Sequence, residues 1–143
     1  LGGTVDRIDA KDTTLRIVDY KTGGSPKTPA NIEQLFTPSE SRPNYIFQTF
    51  LYAAIMSRQQ SLKVAPSLLY IHRAASESYS PVIEMGEPRQ PKIPVSNFAF
   101  FEDEFREHLQ RLLEEIFDKN EPFTQTEDTK KCAYCDFKAI CKR

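Results

Sequence analysis

One stretch limits the choices more than any other: Leu15-Arg16-Ile17-Val18-Asp19-Tyr20-Lys21. If it is a strand, alternate residues share a face. Leu15 and Ile17 mark that face as the core side, and the same face then receives Asp19 and Lys21. Charges driven inward are costly unless they find partners, so this strand end needs a reason to exist. A second β-branched run, Thr4 to Asp9, lies just upstream, with the polar, turn-prone Ala10-Lys11-Asp12-Thr13-Thr14 between them. The pair predicts a β-hairpin. With the turn centred between Lys11 and Asp12, Asp6 stands opposite Ile17, on the face of Asp19 and diagonal to it. Diagonal neighbours are roughly 7–8 Å apart at Cα. A slip of one residue would send Asp6 to the other face.

Downstream, residues 23–42 are rich in Gly, Ser, Pro and Thr and read as loop. A loop that long is unusual in a compact domain, so a short helix from about Pro29 to Phe36, capped by Thr28, is expected within it. Ser41-Arg42-Pro43 is expected to open a longer helix over 43–60, with Ser41 as its cap and Pro43 in the first turn. This helix is apolar on most sides and so should be well buried. Val64 to His72 reads as a strand buried on both faces, and Ser80 to Met85 as a weaker one. Over 101–118, Phe101, Phe105, Leu109, Leu112 and Ile116 recur at three-to-four spacing, which predicts a helix whose stripe faces the core. No internal repeat is evident. The elements predict an α/β domain with a central mixed sheet flanked by helices.

Two carboxylates beside an amine suit phosphodiester hydrolysis. Carboxylate oxygens suit Mg²⁺ (or Mn²⁺), which keeps waters and leaves room for a phosphate oxygen. The ion polarises the phosphate and acidifies a bound water. The Lys21 ammonium can orient that water or stabilise charge developing on the phosphoryl oxygens. A lone Asp-x-Lys is more often a strand-end ornament. Here Gln48 and Tyr52 stand four apart on the following helix, hence on one face, and would partner the hairpin's charged end. Taken alone, the pair fits a satisfied core amide and phenol equally well.

The three cysteines, Cys132, Cys135 and Cys141, fall within the last twelve residues. An odd, tight cluster does not read as a secreted disulfide framework. It reads as metal or cluster ligation in a reducing, cytoplasmic compartment. Three thiolates are one short of the four that structural Zn²⁺ or a 4Fe–4S cluster takes. The surrounding Lys130, Lys131, Lys138, Lys142 and Arg143 would favour thiolates or a polyanion. Only two His are present, far apart, so a His-rich centre is excluded. His72 is expected at a strand end in a structural role.

Length and charge narrow the rest. The 143 residues suffice for one core and not two. The longest apolar run, Phe50 to Met56, has seven residues, against the ~20 of a membrane span. A net charge of −1 argues against nucleic-acid binding by bulk charge, though Arg7, Arg16, Lys21, Lys27 and Arg42 could line a local rim. Lys21-Thr22-Gly23 lacks the companion motifs of serine penicillin-binding enzymes. No phosphate-binding G-x-x-x-x-G-K-[ST] marks a helicase motor, and no H-E-x-x-H or G-x-S-x-G is present. The chain opens on Leu1-Gly2-Gly3 with no initiator Met, as expected of a piece cut from a larger protein.

Four segments together resemble a known family. Gly3-Thr4-Val5-Asp6-Arg7-Ile8-Asp9, Ile17-Val18-Asp19-Tyr20-Lys21-Thr22-Gly23, Gln48-Thr49-Phe50-Leu51-Tyr52 and Cys132-x-x-Cys135-x5-Cys141 are similar, in order and spacing, to PD-(D/E)XK nucleases of the RecB/AddB-like exonuclease branch found in helicase–nucleases. The resemblance covers nearly the whole chain. It implies a restriction-endonuclease-like core, with Asp6 and Asp19 as metal ligands and Lys21 as the catalytic lysine. Gln48 and Tyr52 would line the site. It also implies DNA as substrate, a helicase domain or subunit as partner, and a role in DNA-end processing and recombinational repair. For the cysteines it favours a 4Fe–4S cluster acting as a structural clasp, over zinc. The family has an earlier helix that completes the metal site and a fourth Cys upstream of the hairpin, so this chain is expected to be truncated at its N-terminus. Two other readings stand beside the nuclease: a non-catalytic nuclease-fold module that docks DNA or a helicase subunit, and a zinc-ribbon-like interaction protein.

Overall fold

A computed structural model describes residues 2–59, 61–122, 124–126 and 129–142. Its first unit, Leu1–Leu112, is organised around the alternating stretch. Strand β1 (Arg7–Lys11) meets β2 (Thr14–Lys21) through a two-residue connection in which Asp12 takes φ 52°. The strands pair antiparallel, with Ile8 opposite Ile17 and Asp9 opposite Arg16. The turn therefore sits one residue later than expected and the register shifts by two. Asp tolerates the left-handed region better than most residues, which favours the tight turn at Asp12-Thr13. A shift of two leaves every side chain on its own face.

On its other side β2 pairs parallel with β3 (Lys63–Tyr70), Asp19 opposite Leu68 and Lys21 opposite Tyr70. The order β1-β2-β3 makes a mixed sheet with the Asp19 strand in the middle, as the α/β reading expected. A parallel neighbour requires a crossover. Here α1 (Glu33–Phe36) and α2 (Asn44–Met56) supply it.

Several boundaries differ from expectation. Thr28 does not cap α1. Asn31 Oδ1 accepts the Gln34 N–H at 3.1 Å and Gln34 Oε1 accepts the Ala30 N–H at 2.9 Å, and the helix starts four residues later than expected, at Glu33. Ser41 does not cap α2 either, since Pro43 occupies the cap position with no side-chain bond. The Ser41 carbonyl instead accepts Lys27 Nζ at 2.8 Å. Strand β3 stops at Tyr70, so exposed His72 lies in a 3-10 turn, Ile71–Arg73, and not at the strand's end. The weak strand shrinks to β4 (Glu84–Met85), which pairs with β5 (Ile93–Pro94), plus a single bridge between Val82 and Ser67.

The core lies between the sheet and α2. Ile17 and Leu68 meet Ile46, Phe50 and Ala53, and beyond these lie Phe98 and Phe105. Phe50, Phe98 and Phe105 pack edge to face with centroids 5.4–5.8 Å apart, the separation at which ring edges meet ring faces favourably. Helix α3 (Glu102–Phe117) buries Phe105 and partly buries Leu109, as its stripe predicts, but Ile116 is 46% exposed. The stripe is core only along its first half. The second unit, Leu113–Arg143, holds the end of α3 with two single-turn helices, α4 (Thr129–Cys132) and α5 (Lys138–Cys141). Among the described residues no helix is long and apolar enough to cross a membrane.

Candidate active site

Strand alternation delivers Asp19 and Lys21 to one face at the end of β2. Their side chains are 4% and 13% exposed, and the Lys21 ammonium forms an ion pair with Asp19 Oδ2. That oxygen is buried and accepts no well-aligned hydrogen bond. The ion pair offsets its charge, and the lack of an aligned hydrogen bond leaves it able to take a second cation.

The remaining partners come from α2. Gln48 Oε1 accepts Lys21 Nζ at 3.1 Å, and Gln48 Nε2 donates to the Tyr52 hydroxyl oxygen at 2.9 Å. The amide thus turns its acceptor to the ammonium and its donor to the phenol. Asp19, Lys21, Gln48 and Tyr52 form one polar chain along a mostly apolar helix. Tyr52 is 7% exposed. It is also covered by backbone: a Cβ on Gly3 would lie 2.7 Å from its hydroxyl, so only glycine fits there without displacement.

Sequence reasoning missed Tyr45. Its ring centroid lies 4.3 Å from Lys21 Nζ, within cation–π range. The available signal was Tyr45, Gln48 and Tyr52 at steps of three and four, the spacing of one helix face.

Asp6 lies in a bend just before β1 and is exposed. Its Oδ2 accepts the Tyr20 N–H at 2.8 Å. Bond lengths alone then place this oxygen within about 5 Å of the Asp19 Cα. The carboxylate therefore sits beside the strand, between Asp19 and Lys21 in sequence, with one oxygen taken by the amide.

These residues fit Mg²⁺ in kind. The donors are hard oxygens, one of them buried without a hydrogen bond, and Mg²⁺ is held by one or two carboxylates with waters and substrate phosphates making up the rest. Among the described residues, no group of three or more His, Cys, Asp or Glu is placed to hold a metal. The cysteines therefore do not fit a cluster as they stand. Cys132 ends α4, Cys141 ends α5 and Cys135 lies between, all half-buried and none in a disulfide. The Cys135 N–H reaches the Cys132 carbonyl at 3.2 Å in the expected tight turn, yet the three sulfurs are not gathered, and a fourth thiolate is lacking.

Of the five cations considered for a rim, only Lys21 is in the site. Arg7 and Arg16 pair with Asp9, at 2.6 and 2.5 Å, on the opposite face of the hairpin. Hydrogen bonds from Arg16 and then Arg7 hold the Asp9 carboxyl below the usual carboxylate range, and Asp9 in turn raises Arg7. Lys27 is tied to the Ser41 and Arg42 carbonyls. Arg42 donates to the Leu35 carbonyl at 2.7 Å. Both line a cleft of about 250 Å³ that Tyr45 and Tyr70 also border. Burial pushes the Tyr70 phenol up.

The chain matches the family model of the PD-(D/E)XK nuclease superfamily over residues 1–142. No curated protein and no solved structure matches it.

Proposed function

The chain belongs to the PD-(D/E)XK nuclease superfamily, and from that premise we propose that it is a metal-dependent deoxyribonuclease. The observation that carries this reading is the polar chain Asp19–Lys21–Gln48–Tyr52, built from a strand end and a helix face that have no other reason to be polar. Asp19 and Asp6 would hold Mg²⁺ or Mn²⁺. When bound, the ion polarises the scissile phosphate and makes its water more acidic. Lys21 presents its ammonium to the phosphoryl oxygens, where negative charge grows as water oxygen bonds to phosphorus and the nucleoside oxygen leaves. Gln48 fixes that ammonium, and Tyr52 anchors Gln48.

The motif order further supports an exonuclease acting in DNA-end processing and recombinational repair, joined to a helicase domain or subunit in the cytoplasm. The cysteine spacing supports a 4Fe–4S clasp only if a fourth donor is brought to it. No catalytic step depends on that clasp.

A second reading has one observation in its favour: Asp6 is exposed and spends an oxygen on a backbone amide, as in a nuclease-fold module kept for docking DNA or a helicase subunit without catalysis. Hydrolysis of DNA by the full-length protein with Mg²⁺, measured beside Asp19→Ala and Lys21→Ala, decides between them. Loss of activity in both variants is expected. Unchanged activity in either removes the role given to that residue. Binding of Mn²⁺ that is indifferent to Asp6 and Asp19 would favour the docking module.

A further inference from the structure

We propose that Tyr45 is the positioning residue for the Lys21 ammonium, a role that rests on the nuclease reading of Lys21. Three groups surround that ammonium. Asp19 Oδ2 holds it as an ion pair, Gln48 Oε1 accepts from it at 3.1 Å, and the Tyr45 ring lies 4.3 Å away. The three are not equivalent. Asp19 is also the expected metal ligand, so a divalent ion arriving there competes with the ammonium for the same oxygen. Gln48 provides one neutral acceptor. The ring face provides an electrostatic attraction that needs no lone pair and does not compete for the metal.

A lysine stem is long and flexible. Without the ring, an ammonium released by Asp19 has only one amide oxygen to keep it in the site. With the ring it retains two partners, both on the rigid helix that supplies them. The ring also has a close backbone neighbour. Gly24, at φ 79°, brings the chain after β2 so close that a Cβ there would lie 3.3 Å from Tyr45 Cε2. The loop leaving the catalytic strand therefore packs on the ring that steadies the catalytic amine. Tyr45 is 42% exposed, so substituting it removes little core.

The test compares Tyr45→Phe and Tyr45→Leu with the unsubstituted full-length protein. Phe keeps the ring face, and Leu removes it at similar bulk. Tyr45→Leu is expected to lower kcat about tenfold, with KM for DNA and Mn²⁺ affinity by EPR unchanged. Tyr45→Phe is expected to restore kcat. Acetylation of Lys21 by acetic anhydride, which transfers one acetyl group and releases acetate, read by mass spectrometry in buffer containing Mn²⁺, should be several-fold faster in the Leu variant and unchanged in the Phe variant. A rise in KM with kcat intact would make Tyr45 a DNA contact and overturn the proposal. So would equal Lys21 acetylation in all three proteins. DNA hydrolysis that is absent from the unsubstituted protein would count against the nuclease reading itself and leave the acetylation result to judge Tyr45.

Discussion

Asp6 accepts the backbone N–H of Tyr20 at 2.8 Å, fourteen residues along the chain. Tyr20 stands between Asp19 and Lys21, so this bond fixes where the strand end lies relative to the segment preceding β1. On the function proposed above, Asp6 then has two separable duties, one to the backbone and one to a cation.

Asparagine separates them, because it keeps an acceptor oxygen and loses the charge. Asp6→Asn should unfold in urea within about 0.5 kcal/mol of the unsubstituted protein, and Asp6→Ala about 1 kcal/mol below it. Both should weaken Mn²⁺ binding, read by EPR, by at least about tenfold. Equal Mn²⁺ affinity in all three proteins would take Asp6 out of the metal site.

Gly3 and Gly2 form an internal control. An alanine methyl at position 3 meets the Tyr52 ring and hydroxyl at 2.7 Å, whereas at position 2 nothing lies within 4 Å. Buried Tyr52 has little room to yield, so the Gln48–Tyr52 bond must distort. Gly3→Ala should lose roughly ten- to hundredfold in DNA hydrolysis rate, with circular dichroism unchanged. Gly2→Ala should behave as the unsubstituted protein. Full activity in Gly3→Ala would detach Tyr52 from the site.

The Asp9 carboxyl is held below its ordinary range by Arg16 and Arg7. A carboxyl depressed in the folded state stabilises above its unfolded value, near pH 4, and the benefit disappears as pH falls through the folded value. Asp9→Asn should therefore lower Tm at pH 7, more so at low salt, and the difference should shrink as pH falls through the folded value. Because Asp9 pairs on the face away from Asp19, DNA hydrolysis should not change.

Phe105 is fully buried, with the rings of Phe36, Phe47, Phe50 and Phe98 all within 5.9 Å of its own by centroid. Phe105→Ala should cost about 3–5 kcal/mol in a urea titration. A loss below about 1 kcal/mol would mean that α3 contributes little to this core.

Much of the site was legible because it depends on periods of two and of nearly four. Alternation alone sent Asp19 and Lys21 inward, and the four-residue step alone put Gln48 beside Tyr52. The register of β1 was not legible, because several residues of Ala10-Lys11-Asp12-Thr13-Thr14 suit a turn and only the backbone settles which one does. The error was harmless for a specific reason: it was two residues and not one. Caps failed where a competitor was invisible in one dimension. Asn31 and Gln34 serve α1 in place of Thr28, and Pro43 holds the place expected of Ser41. Tyr45 passed for one more apolar residue on a buried helix because its partner, Lys21, is 24 positions away. Periodicity showed that α3 has a stripe, but not how much of it is covered.

The crossover helix feeds Ile46 and Phe50 to the interior and Gln48 and Tyr52 to the charged end of β2. This dual duty makes an interlock. Were that helix to loosen, the amine would lose its tether while the hydrogen-bond ladder of the three strands still stood, so hydrolysis would switch off ahead of unfolding. A nuclease of the proposed kind would in this way fail safe. Hydrogen exchange along 44–56, rising in step with loss of activity on warming and before exchange in β2, is the signature to look for.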